Sequence, residues 1–125
     1  MLKILLVSKD NSSLSGLSSA LSARSDIKLA ESPSGEKALE MISQRAFDLV
    51  VADEDLGDMK ALELSRRLLK INPMINCALV SDLSAEEFHE ASEGLGIMAK
   101  LPKEPGAKDA NELIKNLKQI MGLLV

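Results

Sequence analysis

Four polar clusters each follow an apolar run in this chain: Ser8-Lys9-Asp10, Asp53-Glu54-Asp55, Ser81-Asp82 and Lys103. Together they supply a central carboxylate, a hydroxyl and two ammonium groups. A carboxylate can act as a nucleophile or ligate a hard cation, and ammonium groups and hydroxyls meet negatively charged oxygens. Other chemistries lack their parts. Neither G-x-x-x-x-G-K-[ST] nor G-x-G-x-x-G is present, and Gly94-Leu95-Gly96 precedes a strand pattern rather than a helix. One Cys and one His give no basis for a disulfide or a zinc cluster. Cys77 lies in an apolar run and reads as a small core residue, and His89 reads as a solvated helix residue. No set of nucleophile, base and orienting group can be assembled, so an independent enzyme is not expected.

The elements that must hold these clusters alternate. Ile4 to Val7 is a β run, and Leu14, Leu17 and Leu21 then recur at helical spacing, with Asn11, Ser12 and Ser13 available as caps. Ile27 and Leu29 alternate with polar neighbours like an edge strand, and Ser32-Pro33-Ser34-Gly35 is a turn. Ala38, Leu39, Ile42 and Ala46 share a helical face, and Phe47 to Ala52 is a β run that ends in the acidic loop Asp53 to Asp58. Ala61, Leu64 and Leu68 form the next helical stripe, and Cys77 to Val80 a buried strand. Ser84 and Glu87 make a capping box, Ile97 to Leu101 is a fifth strand, and Asp109 and Glu112 read as a second box before Leu113, Leu117, Ile120 and Leu124. Met98 and Met121 fit core positions.

Five β-α units with buried strands mean an α/β fold with a parallel sheet and helices on both faces. Right-handed crossovers make the flavodoxin-like, doubly wound order 2-1-3-4-5 the natural one, and ligands then sit outside the carboxyl ends of the strands, where the four clusters lie. With 125 residues and 46% apolar content, residues 1–125 read as a single domain that needs no staple. A net charge of −4 disfavours nucleic acid, and two Phe with no Trp or Tyr are too few to stack bases or sandwich a flavin. No run reaches the roughly 20 apolar residues of a membrane span, and a cytoplasmic location is expected. The apolar end Met121 to Val125 is compatible with a finished helix, a covered dimer face or a longer protein.

The layout resembles the receiver domain of bacterial response regulators over nearly the whole chain. Lys3-Ile4-Leu5-Leu6-Val7 matches the family's first strand, and Asp48-Leu49-Val50-Val51-Ala52-Asp53 looks like its third, with the phosphoacceptor aspartate. Met59-Lys60-Ala61-Leu62-Glu63-Leu64 stands in the place of M-D-G-L-E-L. Leu79-Val80-Ser81 matches the fourth strand, and Gly96 precedes Lys103 by the family's interval of seven residues. The resemblance implies Asp53 as acceptor of a phosphoryl group from a histidine kinase, Ser81 as the switch hydroxyl and Lys103 as the phosphate-contacting lysine. A Mg²⁺ ion completes that chemistry in the family, because developing charge on the phosphoryl oxygens must be met by cations.

The pattern departs from the family at the metal. An acidic pair should follow the first strand, and Ser8 and Lys9 stand there instead. The usual site carries three carboxylates and one lysine, whereas Asp53, Lys9 and Lys103 sum to +1, or to zero with Asp10 turned inward. Opposite charges about 4 Å apart at a surface attract by roughly 4 kcal/mol before desolvation. Lys9 is therefore expected to take the metal's place and pair with Asp53; its alternative is a solvated loop lysine, and that of Asp10 is a helix cap. No Mg²⁺ is expected, with Asp10, Asp53, Glu54 and Asp55 as residual candidate ligands. Asp82 adds a repelling carboxylate beside the hydroxyl, Lys100 replaces the aromatic switch, and Glu104 separates Lys103 from Pro105.

The resemblance thus implies a degenerate receiver that acts through protein contacts, with a histidine kinase or a downstream signalling protein as partner. Its fourth and fifth helices and fifth strand would form the output face, and a homodimer through that face is open to it. The alternative is a working phosphoacceptor at Asp53, with Mg²⁺. The charge count makes a direct prediction: Ser8→Asp combined with Lys9→Asp gains Mg²⁺ binding measurable by calorimetry. No gain would mean that the site fails as a metal site for another reason.

Overall fold

The computed structural model describes residues 1–10 and 12–123. Its elements are β1 (Leu2–Val7), α1 (Ser15–Ser22), β2 (Ile27–Ser32), α2 (Gly35–Gln44), β3 (Leu49–Ala52), α3 (Ala61–Ile71), β4 (Asn76–Val80), α4 (Ala85–Ala91), β5 (Ile97–Leu101) and α5 (Ala107–Ile120). The five strands run parallel in the order β2-β1-β3-β4-β5, as the alternation of runs requires. Successive strand residues point to opposite faces. Ile4 and Leu6 pack with α1 and α5 through Leu17, Leu21, Leu113 and Leu117. Leu5 and Val7 pack on the other face with α2, α3 and Phe88 of α4 through Ala38, Leu64 and Leu68. Truncating a fully buried leucine such as Leu5 costs about 2–5 kcal/mol. Among the described residues no helix is long and apolar enough to cross a membrane.

Several boundaries differ from the sequence reading. The start of α1 has Leu14 at its N-cap with no side-chain cap, because the nearby hydroxyls have other partners. Ser12 donates its amide and hydroxyl to Asp10, at 2.8 and 2.7 Å, and Ser13 turns to Asp53. Asn11 lies outside the described residues. The last helix opens at Ala107, so Asp109 is not its cap. Asp109 instead reaches back to accept the Gly106 N–H at 2.9 Å. Met121 is 37% and Ile120 57% exposed, because the final turn runs past the sheet and leaves the core; Leu124 lies outside the described residues. Ala46 follows the end of α2 and is exposed. Phe47 is buried, but β3 begins only at Leu49. Ser84 and Glu87 do form the capping box of α4. Cys77 is buried, and burial pushes its thiol up to about 12, which leaves it inert at neutral pH.

The loop between β3 and α3 carries the central acidic cluster, and α2 anchors it. Asp58 accepts the N–H groups of Gly35 at 3.0 Å and Glu36 at 2.9 Å, so a side chain from a distant loop satisfies two free donors at the start of α2. The Met59 thioether lies over Gly35, where an added Cβ would come within 2.5 Å of sulfur. Asp55 accepts the N–H of Gly57, whose φ of +85° needs a residue without Cβ. Leu56 is 1% exposed and plugs the loop into the core.

Asp58→Ala is predicted to cost about 1 kcal/mol in denaturant unfolding, the usual worth of a lost cap. The amides of Glu36 and Gly35 hold the Asp58 carboxyl below its ordinary value of 3.8. A carboxyl depressed in the folded state stabilises fully above its unfolded value and loses that contribution as pH falls through the folded one. The wild type and the variant should therefore converge in stability as pH falls through that lowered value.

Candidate functional site

All four polar clusters lie at the carboxyl ends of β1, β3, β4 and β5. Asp53 follows β3 and is half-buried. Its Oδ1 accepts the N–H of Glu54 at 2.9 Å. Its Oδ2 accepts, at a close approach, from the Ser13 hydroxyl, and lies 3.4 Å from the Ser8 hydroxyl, which donates to the Asp10 carbonyl at 2.5 Å. Ser8 is 7% exposed, and its hydroxyl lies 3.1 Å from that of Ser13. The carboxylate is thus held by uncharged donors, the Ser13 hydroxyl and the Glu54 amide, with the Ser8 hydroxyl beside it.

Lys9 does not pair with Asp53. Its ammonium stands 3.6 Å from Asp55, which Lys60 also approaches at 3.1 Å. The Lys9 stem runs along Gly57, within 3.7 Å of where a Cβ would stand there. The physical reason is solvation. The Asp55 pairing leaves the lysine side chain 52% exposed, whereas pairing with Asp53 would draw the ammonium out of water. The Ser13 hydroxyl and the Glu54 amide already satisfy Asp53 at no such cost. The Gly57 amide, then Lys60 and Lys9, pull the Asp55 carboxyl down to about 2. Asp10 is turned away as well, its carboxylate taken by Ser12.

Lys103 reaches the same end of the sheet, but its ammonium meets Glu54 at 3.0 Å and Asp82 at 3.6 Å. Glu54 also accepts the Asp82 N–H at 3.0 Å, so one carboxylate ties the ends of β3, β4 and β5 together. Glu104, the residue inserted before Pro105, sits at φ 51° in the left-handed region, a cost of about 1 kcal/mol for a side chain with Cβ. Ser81 is 6% exposed, and its hydroxyl accepts the Leu83 N–H at 3.1 Å. Lys100, in the strand position of the aromatic switch, is exposed.

The local charge count therefore changes. Over the wider set of charges the structure gathers, Asp53, Glu54, Asp55 and Asp82 stand against Lys9, Lys60 and Lys103, a net of −1, whereas the count of +1 covered only Asp53, Lys9 and Lys103. Even so, the donors do not suit a divalent ion at Asp53. A hard cation needs several converging oxygens of which carboxylates carry the charge. Here Asp53 has only hydroxyls beside it, and each neighbouring carboxylate is turned to an ammonium or an amide. Among the described residues no three His, Cys, Asp or Glu side chains converge as a metal site. The sequence reading missed Ser13, whose place just before α1 suggested a cap. It also treated Glu54 only as a residual ligand and gave Lys60 no part in the site.

The family model of the response regulator receiver domain matches residues 4–118. The chain belongs to that family. No curated protein matches it. Among solved structures, the receiver is similar to a CheY-like response regulator receiver domain protein from Methanospirillum hungatei JF-1, with 24% identity, a TM-score of 0.84 and 98% of each chain covered. A receiver domain protein from Clostridium thermocellum has 18% identity and a TM-score of 0.83 over 100% of both chains. The chemotaxis response regulator CheY4 of Vibrio cholerae has 17% identity and a TM-score of 0.81, covering 94% of this chain and 98% of that one. At these identities the structural likeness speaks for the fold, and the family match carries membership.

The Asp82 amide, and then Lys103, hold the Glu54 carboxyl of this receiver below its ordinary value of 4.5. A carbon-detected NMR titration should find Glu54 titrating below 4.5, and Lys103→Met should move it only part of the way back, because the amide remains. An unchanged titration in Lys103→Met would contradict the pairing.

Proposed function

We propose that this receiver is a degenerate one: a scaffold for protein recognition in two-component signalling in which Mg²⁺-dependent phosphorylation of Asp53 is impaired. The observation that carries this reading is the set of neutral donors on Asp53. Ser8 and Ser13 stand where carboxylates would be needed to hold a divalent ion. The ammonium that would meet a phosphoryl group is engaged, since Lys103 is shared by Glu54 and Asp82. Those two carboxylates would also repel the incoming group. The module needs no Mg²⁺ and is not an enzyme in its own right.

Its partners are a histidine kinase or a downstream signalling protein. A groove of about 250 Å³ on the face of α4 and β5, lined by Phe88, His89, Ile97 and Met98, supports that assignment. A homodimer would use the same face. The net charge of −4 disfavours nucleic acid as a partner.

The rival reading, a working phosphoacceptor, is favoured by the survival of Asp53, Ser81 and Lys103 at one end of the sheet. Incubation with Mg²⁺ and acetyl phosphate, followed by mass spectrometry, separates the two. The degenerate reading expects no stoichiometric adduct at Asp53. A base-labile adduct that disappears in Asp53→Ala would overturn it.

A further inference from the structure

At the opposite end of the sheet from Asp53, cations gather without counter-ions. Lys3 of β1 and Lys28 of β2 are register partners on neighbouring strands, so both side chains stand on one face. Like charges placed side by side on a sheet are destabilising. Arg45, just past α2, approaches them with its guanidinium over the Phe47 ring at 5.3 Å. These three cations and Phe47, with Leu29 and Ala30, line a groove of about 170 Å³. Among the described residues none of the three has a carboxylate within 4.0 Å, which is also true of Lys70, Lys100, Lys108 and Lys115; what sets the three apart is that they line one groove. The adjacent carboxylate, Asp48, is bound by the amide of Lys3 at 2.8 Å. Three unneutralised cations on a chain of net charge −4 are a local inversion of sign.

The shape of the groove narrows the ligand. Lys28, Leu29 and Ala30 are consecutive residues of β2, which is an edge strand with no neighbour beyond it. Its outward backbone groups can therefore accept an added strand. Arg45 gives its flat side to Phe47 and keeps its N–H fork for an oxygen pair. The rest of the lining is apolar, and that would suit the stems of side chains rather than a compact anion.

We propose that this groove docks an extended acidic segment of a protein partner. The segment would lie along the edge of β2, with carboxylates at Lys3, Lys28 and Arg45. The surface is remote from Asp53, and the proposal does not depend on whether that residue is phosphorylated. Nucleic acid would also bring negative charge, but the acidic whole repels it and Phe47 is too buried to stack a base.

The test is an NMR titration of the ¹⁵N-labelled chain with an acetylated, amidated Glu-Val-Glu-Val-Glu-Val peptide. The Gln-Val counterpart and inorganic phosphate are run beside it. The amides of Lys28 to Ala30 and of Arg45 to Phe47 should shift with the glutamate peptide, and the shifts should weaken as salt rises. Lys28→Glu combined with Arg45→Glu should weaken binding about tenfold or more. Lys28→Gln with Arg45→Gln provides a milder pair should the reversal disturb folding, and it should weaken binding in the same direction. An equal response to the glutamine peptide, unchanged affinity in the variants, or silence at millimolar peptide would overturn the proposal. Phosphate shifting the same amides as strongly as the peptide would do so too, since it would mean a small-anion site.

Discussion

The site depends on how one half-buried carboxylate is satisfied. Asp53 sits where five strands release their ends, and every nearby charge must find a partner without leaving Asp53 bare. The Ser13 hydroxyl and the Glu54 amide do this without drawing an ammonium out of water, which is the costly part of a buried ion pair. The lysines are then free to bind carboxylates nearer solvent. Lys9 and Lys60 close the loop after β3 on Asp55, and Lys103 draws the ends of β3, β4 and β5 together on Glu54. Exposed pairs of this kind are individually worth only about 0–1 kcal/mol. Their importance is positional, since they fix which donors face Asp53.

In the degenerate reading proposed above, that arrangement lets the receiver fold persist while its chemistry changes. The sheet and its two cores rely on alternating leucines, isoleucines and valines that do not touch the phosphoryl site. The loops at the strand ends can therefore exchange carboxylates for serines with little effect on packing. In that proposed reading, recognition rests on surfaces. One is the groove between α4 and β5, and the other is the basic edge of β2 at the end of the sheet away from Asp53. The two lie on opposite edges of the sheet, so partners could occupy both.

The fold was legible because buried strand runs and helical stripes alternate five times along the sequence, as a parallel sheet covered by helices requires. The candidate residues were legible for the same reason, since strand ends follow from strand positions. The contacts among them were not. Lys9, Lys60 and Lys103 have long flexible stems, and three consecutive acids after β3 offer partners within reach of all of them. Spacing alone does not choose between Asp53 and Asp55. Ser13 was hidden by its place at the mouth of α1, where a serine usually caps, and Asp109 was misread because a carboxylate at N3 has the same spacing signature as one at the cap. Ile120 and Met121 keep the helical period after the sheet has ended, so periodicity could not mark where the core stops.

The most direct measurement is a high-resolution crystal structure of the chain grown in excess Mg²⁺ and again in Mn²⁺, read at the Asp53 carboxylate. The account predicts the oxygens of Ser8 and Ser13 at hydrogen-bond distance and no anomalous peak from manganese beside them. A hydrated, six-coordinate ion bound to Asp53, with Asp10 or Asp55 swung in to join it, would contradict it.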